Sequence, residues 1–375
     1  MNKILLVGNG FDLAHGLLTK YEHFLYIMKN WSIFYNSYDR YNQGYKREVA
    51  DTIARFVSDL AVMDKQNIEK LGKIIETNSW VHYYCNCEAE IDGWIDFEKE
   101  IYPVLELFEF IFQSDYSYKS NSSIGNVYID ALNLCSRLKS VSKLWKTYVV
   151  HDETRIWIKE EFTSNQYGIL KKKIKKSLKE EFDEFIYAFE IYLHEFVYRR
   201  KDLKLLRQIK EINADYVISL NYTLTERLYG IIEQNTHHIH GSMREELMHY
   251  KNNMVLGVNE QENQNLDFIY FIKYFQRIQK RTGTAYTSYI NLCLNGVMEE
   301  YELHIYGHSL DITDKDVLLY TMENACKIYI YYYDQEDFEH KVINLINLFG
   351  REKTEENIQS KHFDFIETND EIIVE

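Results

Sequence analysis

The sequence predicts an α/β fold: a doubly wound, mostly parallel sheet with a large α-helical insertion after the first strand and helix. Three observations predict it. Lys3–Val7 is a short apolar run that ends in Gly8-Asn9-Gly10 and passes straight into a helical pattern, which reads as a buried strand, a tight loop and a helix. From Tyr216 onward strand and helix patterns alternate, the rhythm of parallel strands joined by crossover helices. The chain of 375 residues also holds one proline, where average usage gives roughly 19, and 15 glycines, where it gives roughly 26. So few turn-makers imply long helices.

Taken in order, Lys3–Val7 is the first strand, and the next comes only at Tyr216–Leu220. Leu224–Ile232 is then expected as a helix, His237–Ile239 and Met254–Leu256 as strands, and Phe268–Ile278 and Tyr286–Gly296 as helices. Leu303–Tyr306 (strand), Asp314–Asn324 (helix), Lys327–Tyr332 (strand) and Phe338–Leu348 (helix) complete the rhythm. Between the first helix and Asn213 the composition changes. All five tryptophans (Trp31, Trp80, Trp94, Trp145 and Trp157) and the only proline, Pro103, fall there. Asp96–Phe112 and Glu180–Tyr198 carry apolar residues at three- and four-residue spacing, the mark of amphipathic helices. The expected organisation is a discontinuous sheet domain at 1–30 and 211–350, a helical insertion at 31–210 that frames a ligand site, and an acidic tail at 351–375. The tail has a short strand at Phe363–Ile366.

Charge and cysteine content narrow the function classes. With 43 Lys and Arg against 58 Asp and Glu, the net charge is −15, a poor match for bulk nucleic-acid binding, which needs basic compensation of phosphates. The run Lys171-Lys172-Lys173-Ile174-Lys175-Lys176 is the local exception. Apolar residues at 170, 174 and 178 repeat every four, so its lysines read as a solvated helix face, with nucleic acid or an acidic partner as the alternative. The five cysteines (Cys85, Cys87, Cys135, Cys293 and Cys326) are odd in number and scattered, with no second close pair to complete a four-sulfur zinc site. Reduced thiols, no signal peptide and no apolar stretch of about 20 residues lead to the expectation of a cytoplasmic chain without a membrane partner.

Four glycine- or histidine-bearing motifs lie at expected strand ends, where open parallel sheets bind ligands. Gly8-Asn9-Gly10-Phe11-Asp12 reads either as a phosphate cradle or as a tight turn. It is not the dehydrogenase fingerprint, because position 13 is Leu, nor a P-loop, because no Gly-Lys-Ser/Thr follows. Asn221, after a strand, can hold a sugar hydroxyl or water, or cap a helix. In His237-His238-Ile239-His240-Gly241, alternation places His238 and His240 on one face. A metal reading lacks a Cys or carboxylate at ligand spacing, and His240 is placed for general-base work. Gly307-His308-Ser309-Leu310-Asp311 closes a late strand. Three such neighbours do not make a hydrolase triad without a nucleophile elbow.

The run from Gly8 to Phe24, then Asn221-Tyr222-Thr223, His238-Ile239-His240-Gly241 and Gly307-His308-Ser309-Leu310-Asp311 with Asp314, in this order, resembles the AbiH family of phage abortive-infection proteins. Trp94-Ile95-Asp96-Phe97-Glu98 and Phe271-Ile272-Lys273 with Gln276-Arg277 are similar to further family positions. More distantly, the motif order resembles sirtuin-like NAD-binding domains of antiphage systems, many of which hydrolyse NAD. That resemblance implies a Rossmann-type sheet in which Gly8, Asn9 and Gly10 hold a pyrophosphate and Asn221 positions the nicotinamide ribose or water. It makes His240 the general base and has Gly307, His308 and Ser309 line the ribose and adenine end. Asp12 is expected to hydrogen-bond ribose or stabilise developing positive charge. Phe11, Thr223 and Asp311 flank these positions and complete the expected cofactor-binding set. Thr223 stands where those enzymes carry Asp, and the zinc cysteines of protein-deacylating relatives are missing. The implied function is an antiphage effector that binds NAD or a related nucleotide and cleaves its nicotinamide–ribose bond. A phage component is the implied trigger, no metal is needed, and homo-oligomerisation is left open. Alternatives are a non-catalytic module binding a nucleotide or phage component, and a metal-dependent nuclease.

Overall fold

A computed structural model describes residues 1–45, 49–57, 59–86, 97–113, 145–150, 153–158, 170–200, 203–247, 252–258, 266–369 and 371–373. The first strand, β1 (Asn2–Val7), is a continuous apolar run because both of its faces are covered. Ile4 and Leu6 pack with Ile218, Ile305 and Ile330 on one side, whereas Leu5 and Val7 pack with Val217, Tyr306 and Tyr331 on the other. That two-sided burial is what a strand at the centre of a parallel sheet requires.

Strands β4 (Tyr216–Ser219), β5 (Thr236–His238), β6 (Tyr301–Tyr306), β7 (Lys327–Tyr332) and β8 (Phe363–Glu367) join β1 in one sheet. Its order is β5-β4-β1-β6-β7-β8 and every pairing is parallel. Counted in chain order within the sheet this is 3-2-1-4-5-6, the doubly wound Rossmann order, in which winding reverses beside the first strand. The predicted α/β architecture is therefore present. The register decides where a site can be. Val7 lies opposite both Ser219 and Tyr306, and Ser219 lies opposite His238. Four strands thus end level, and the residues that follow them emerge side by side.

Several elements differ from expectation. The helix expected at Leu224–Ile232 is a single 3₁₀ turn, Thr225–Tyr229, stopped by Gly230 at φ +75°. Met254–Leu256 is buried but joins no sheet. The Gln276 side chain takes the role of a neighbouring strand, its Oε1 accepting from the Leu256 N–H (3.2 Å) and its Nε2 donating to the Leu256 carbonyl (2.6 Å). Phe268–Ile278 divides into a 3₁₀ segment, Leu266–Phe271, and a helix, Lys273–Lys280. The short strand expected near the C-terminus forms as β8, with the helix Arg351–Gln359 before it.

The helical insertion expected at 31–210 contains Trp31–Asn42, Lys65–Thr77, Ser79–Cys85, Phe97–Gln113 and the long helix Lys171–Tyr192, and the helix Tyr21–Lys29 precedes it. The insertion also contains an antiparallel hairpin, β2 (Trp145–Val150) with β3 (Glu153–Ile158). The aromatic excess is spent in its core. Phe24 meets Phe185, Phe189 and Tyr192 at ring distances of 5.8, 5.2 and 5.4 Å, and Trp80 meets Phe182 at 4.9 Å. In the lysine run, Ile174 is fully buried while Lys175 pairs with Asp267 and Lys176 with Glu180. Cys87, Cys135 and Trp94 to Asp96 lie outside the described residues.

Candidate functional site

The loops after β1, β4, β5 and β6 meet at one cavity of about 340 Å³ at the carboxyl ends of the strands. Gly8, Asn9, Gly10, Asp12, Asn221, Thr223, His240, Gly307, His308, Ser309 and Asp311 all line it. Thus eleven of the twelve expected site residues, scattered over three hundred positions, converge. The twelfth, Phe11, points elsewhere: its ring is buried against His15 (4.5 Å) and Tyr306 (6.0 Å) behind the loop. Phe189 and Leu193 of the helical part also line it.

The glycines let the loops pack against each other. Gly307 sits at φ +66°, and a Cβ there would lie 2.0 Å from the Phe11 nitrogen; a Cβ on Gly10 would lie 2.7 Å from the Gly307 Cα. The Gly10 N–H donates to the Gly307 carbonyl (2.8 Å), so the β1 and β6 loops are joined backbone to backbone. Asn221 Nδ2 donates to the Gly8 carbonyl (2.9 Å) and joins the β4 loop to the same turn. Gly8, Gly10 and Gly307 line the cavity. Gly241 and Gly257 instead admit the backbones of Asn253 and Phe271, and Gly16 has open space around it.

Asp12 is buried, and its carboxylate accepts from Thr223 Oγ1 (2.6 Å) and Thr225 Oγ1 (2.7 Å). Burial pushes its carboxyl up to about 6, against the pull of the two hydroxyls. Thr223 thus holds the Asp12 carboxylate beside the β4 loop. The histidines separate in role. His237 is tied to the Thr282 carbonyl and the Tyr286 N–H, and stacks on Tyr286. His238 bonds the Asn221 carbonyl and lies 3.4 Å from Glu226. His240 is in the cavity.

His240 and His308 face Asp314, which the sequence marked only as a helix start and a motif position. Asp314 Oδ1 lies 3.4 Å from His240 Nε2 and 3.9 Å from Lys273 Nζ, and its Oδ2 lies 3.4 Å from His308 Nε2. His240 Nε2 and Asp314 Oδ1 are buried without a hydrogen bond of good geometry. Burial, then the Lys273 ammonium, lowers the His240 pKa, although Asp314 pulls it up; the ring is neutral at pH 7. For Asp314, burial opposes ionisation, but Lys273 and the two histidines outweigh it and hold the carboxyl well below its usual range. Lys273 and Asp314 were legible only as motif members, because nothing in their spacing shows that two loops fold together.

Residues 4–334 match the family described as Bacteriophage abortive infection AbiH. The chain belongs to the AbiH family. No curated protein and no solved structure matches it. The AbiH match runs from β1 past β7, so it contains every residue of the cavity wall, while β8 lies beyond it. Among the described residues no group of three His, Cys, Asp or Glu is arranged to hold a metal ion, and no helix is long and apolar enough to cross a membrane.

Proposed function

We propose that this AbiH protein is an antiphage abortive-infection effector whose crevice takes NAD or a related nucleotide, and that it hydrolyses the nicotinamide–ribose bond. One observation carries the reading. Four motifs from four strand ends converge at the point where the winding of a Rossmann-ordered sheet reverses, the place where such sheets bind nucleotides. The resemblance of the motif order to sirtuin-like antiphage domains supports the choice of NAD. Lys20 and Lys273 are the cations of the cavity wall, and they stand beside the carboxyls of Asp12, Asp311 and Asp314. A volume of about 340 Å³ suits one nucleoside half, with the rest of a dinucleotide along the open rim.

In this mechanism His240, neutral at pH 7, takes a proton from water or a ribose hydroxyl. The water oxygen bonds to the anomeric carbon as the carbon–nitrogen bond breaks, and its electron pair leaves with nicotinamide. Asn221 has its Nδ2 engaged by Gly8, so Oδ1 is the atom that orients the attacking hydroxyl. Asp12, with both oxygens engaged, acts by locking the first loop to the Thr223–Thr225 turn. Incubation with NAD tests the reading. Nicotinamide is released by wild type, and His240→Ala and Asn221→Ala each lower the rate by about 10²-fold or more. If wild type releases none in any oligomeric state, with or without phage components, hydrolysis is excluded.

The engagement of Asn221 and Asp12 by protein partners favours a second reading, a regulatory module that binds the nucleotide without cleaving it. Saturable NAD binding with no turnover distinguishes it.

A further inference from the structure

The reading of His240 as base leaves open which ring nitrogen does the work and what holds the ring. The side-chain geometry answers both. His308 Nδ1 accepts a hydrogen bond from the Leu310 N–H (2.9 Å), which places the His308 proton on Nε2, the atom that faces Asp314 Oδ2 at 3.4 Å. Leu310 itself sits at φ +62°, an unusual backbone conformation for a leucine. On the other side of the same carboxylate, His240 Nε2 faces Oδ1 at 3.4 Å. Both rings are buried, at 5% and 6% exposure, and Asp314 itself is 9% exposed. An ionised carboxylate so placed is costly unless each oxygen meets a donor.

We propose that Asp314 is a positioning residue: its two oxygens clamp the Nε2–H groups of His240 and His308, so that Nδ1 of His240 is the proton acceptor of the site. The inference rests on the proposed base role of His240 for its chemical meaning, but both 3.4 Å approaches to Asp314 are present without substrate. The clamp joins the β5 loop to the turn after β6, as Asn221 joins the β4 loop to the turn after β1. Lys273, 3.9 Å from Oδ1, keeps the carboxylate charged, so that it remains an acceptor at any pH where the base functions. The groups that face His240 are Asp314 and Lys273, with Arg277 farther away and the Tyr222 ring at 6.5 Å. Of these Asp314 alone raises the basicity of the imidazole, and the two cations lower it.

Nitrogen-15 NMR of the whole chain, with no nucleotide added, reads the tautomer directly. In wild type, neutral His240 and His308 are both Nε2–H. In Asp314→Asn, His240 loses that preference and its titration moves to lower pH, because the attractive charge is gone and the two cations stay. Asp314→Glu restores the tautomer in part. A His240 carrying its proton on Nδ1 in wild type overturns the clamp, and this reading needs no variant to fold. An Asp314→Asn protein with the wild-type tautomer and titration overturns it equally. If wild type also releases nicotinamide, the basic-catalysis limb of its pH profile shifts toward acid in Asp314→Asn and the rate falls by about 10²-fold. A protein with the predicted tautomers and no nicotinamide release supports the clamp and refutes the hydrolysis.

Discussion

At the scale of residues, the site depends on a few contacts that admit no substitution and a few charges held against solvation. Gly307→Ala combines a positive φ with a Cβ 2.0 Å from the Phe11 nitrogen, so the loops must part. It should cost at least about 2 kcal/mol in urea unfolding and abolish nucleotide binding. Gly16, at φ +83° with nothing nearby, is the control: Gly16→Ala costs about 1 kcal/mol through backbone strain and leaves the cavity unchanged. Asp12 behaves in the opposite way to a paired carboxylate. Its folded pKa, about 6, lies above its ordinary 3.8, so the stability it contributes is fully present below about pH 4 and lost as pH rises through 6. Asp12→Asn should therefore stabilise the protein at pH 7.5 by up to roughly 3 kcal/mol and have no such effect at pH 4. Denaturant unfolding at the two pH values measures the difference.

At the scale of elements, the legible parts were those whose pattern is local. The apolar run of β1 and the six residues of β7 were readable because burial on both faces, or simple alternation, leaves a mark in a window of six. The Met254–Leu256 segment carries the same mark, yet its backbone is completed by the side chain of Gln276, twenty residues away, which no window contains. Leu224–Ile232 had a helical spacing, but Gly230 ends the turn before a second one can form. The convergence of the candidate site was readable because strand ends in a parallel sheet share a side. The function of Asp314 was not, because its partners come from two other elements. The lysine run was readable too: Ile174 holds its helix by burial while the lysines lie around it. Ile174→Ala should cost about 2–5 kcal/mol, whereas Lys172→Glu should change stability by less than about 0.5 kcal/mol. Thermal unfolding of the two variants compares them.

At the scale of the whole molecule, the scarcity of glycine and proline acquires a mechanical meaning. Long helices build an aromatic body beside a Rossmann-ordered sheet, and among the described residues glycines stand where backbones touch, as at Gly10, Gly257 and Gly307, and at open turns of positive φ, as at Gly230 and Gly350. The buried histidines set the response to acid. Burial pushes His304 down to about 4 and lowers His15, His237 and His240 as well. Groups with depressed folded pKa values contribute stability that is present above 6.5 and is lost as pH falls through the folded values. Unfolding free energy should thus decline between pH 6.5 and 4, and His304→Gln should flatten the decline. Asp12 works against it in the same window, so Asp12→Asn should steepen it. The central claim, a nucleotide site at the β1–β6 crevice, is tested most directly by titrating NAD into the protein while recording the resonances of His240 and His308 and the appearance of nicotinamide. The account predicts saturable shifts of both histidines, with nicotinamide formed by wild type and lost in His240→Ala. Unshifted histidines at saturating NAD would contradict it.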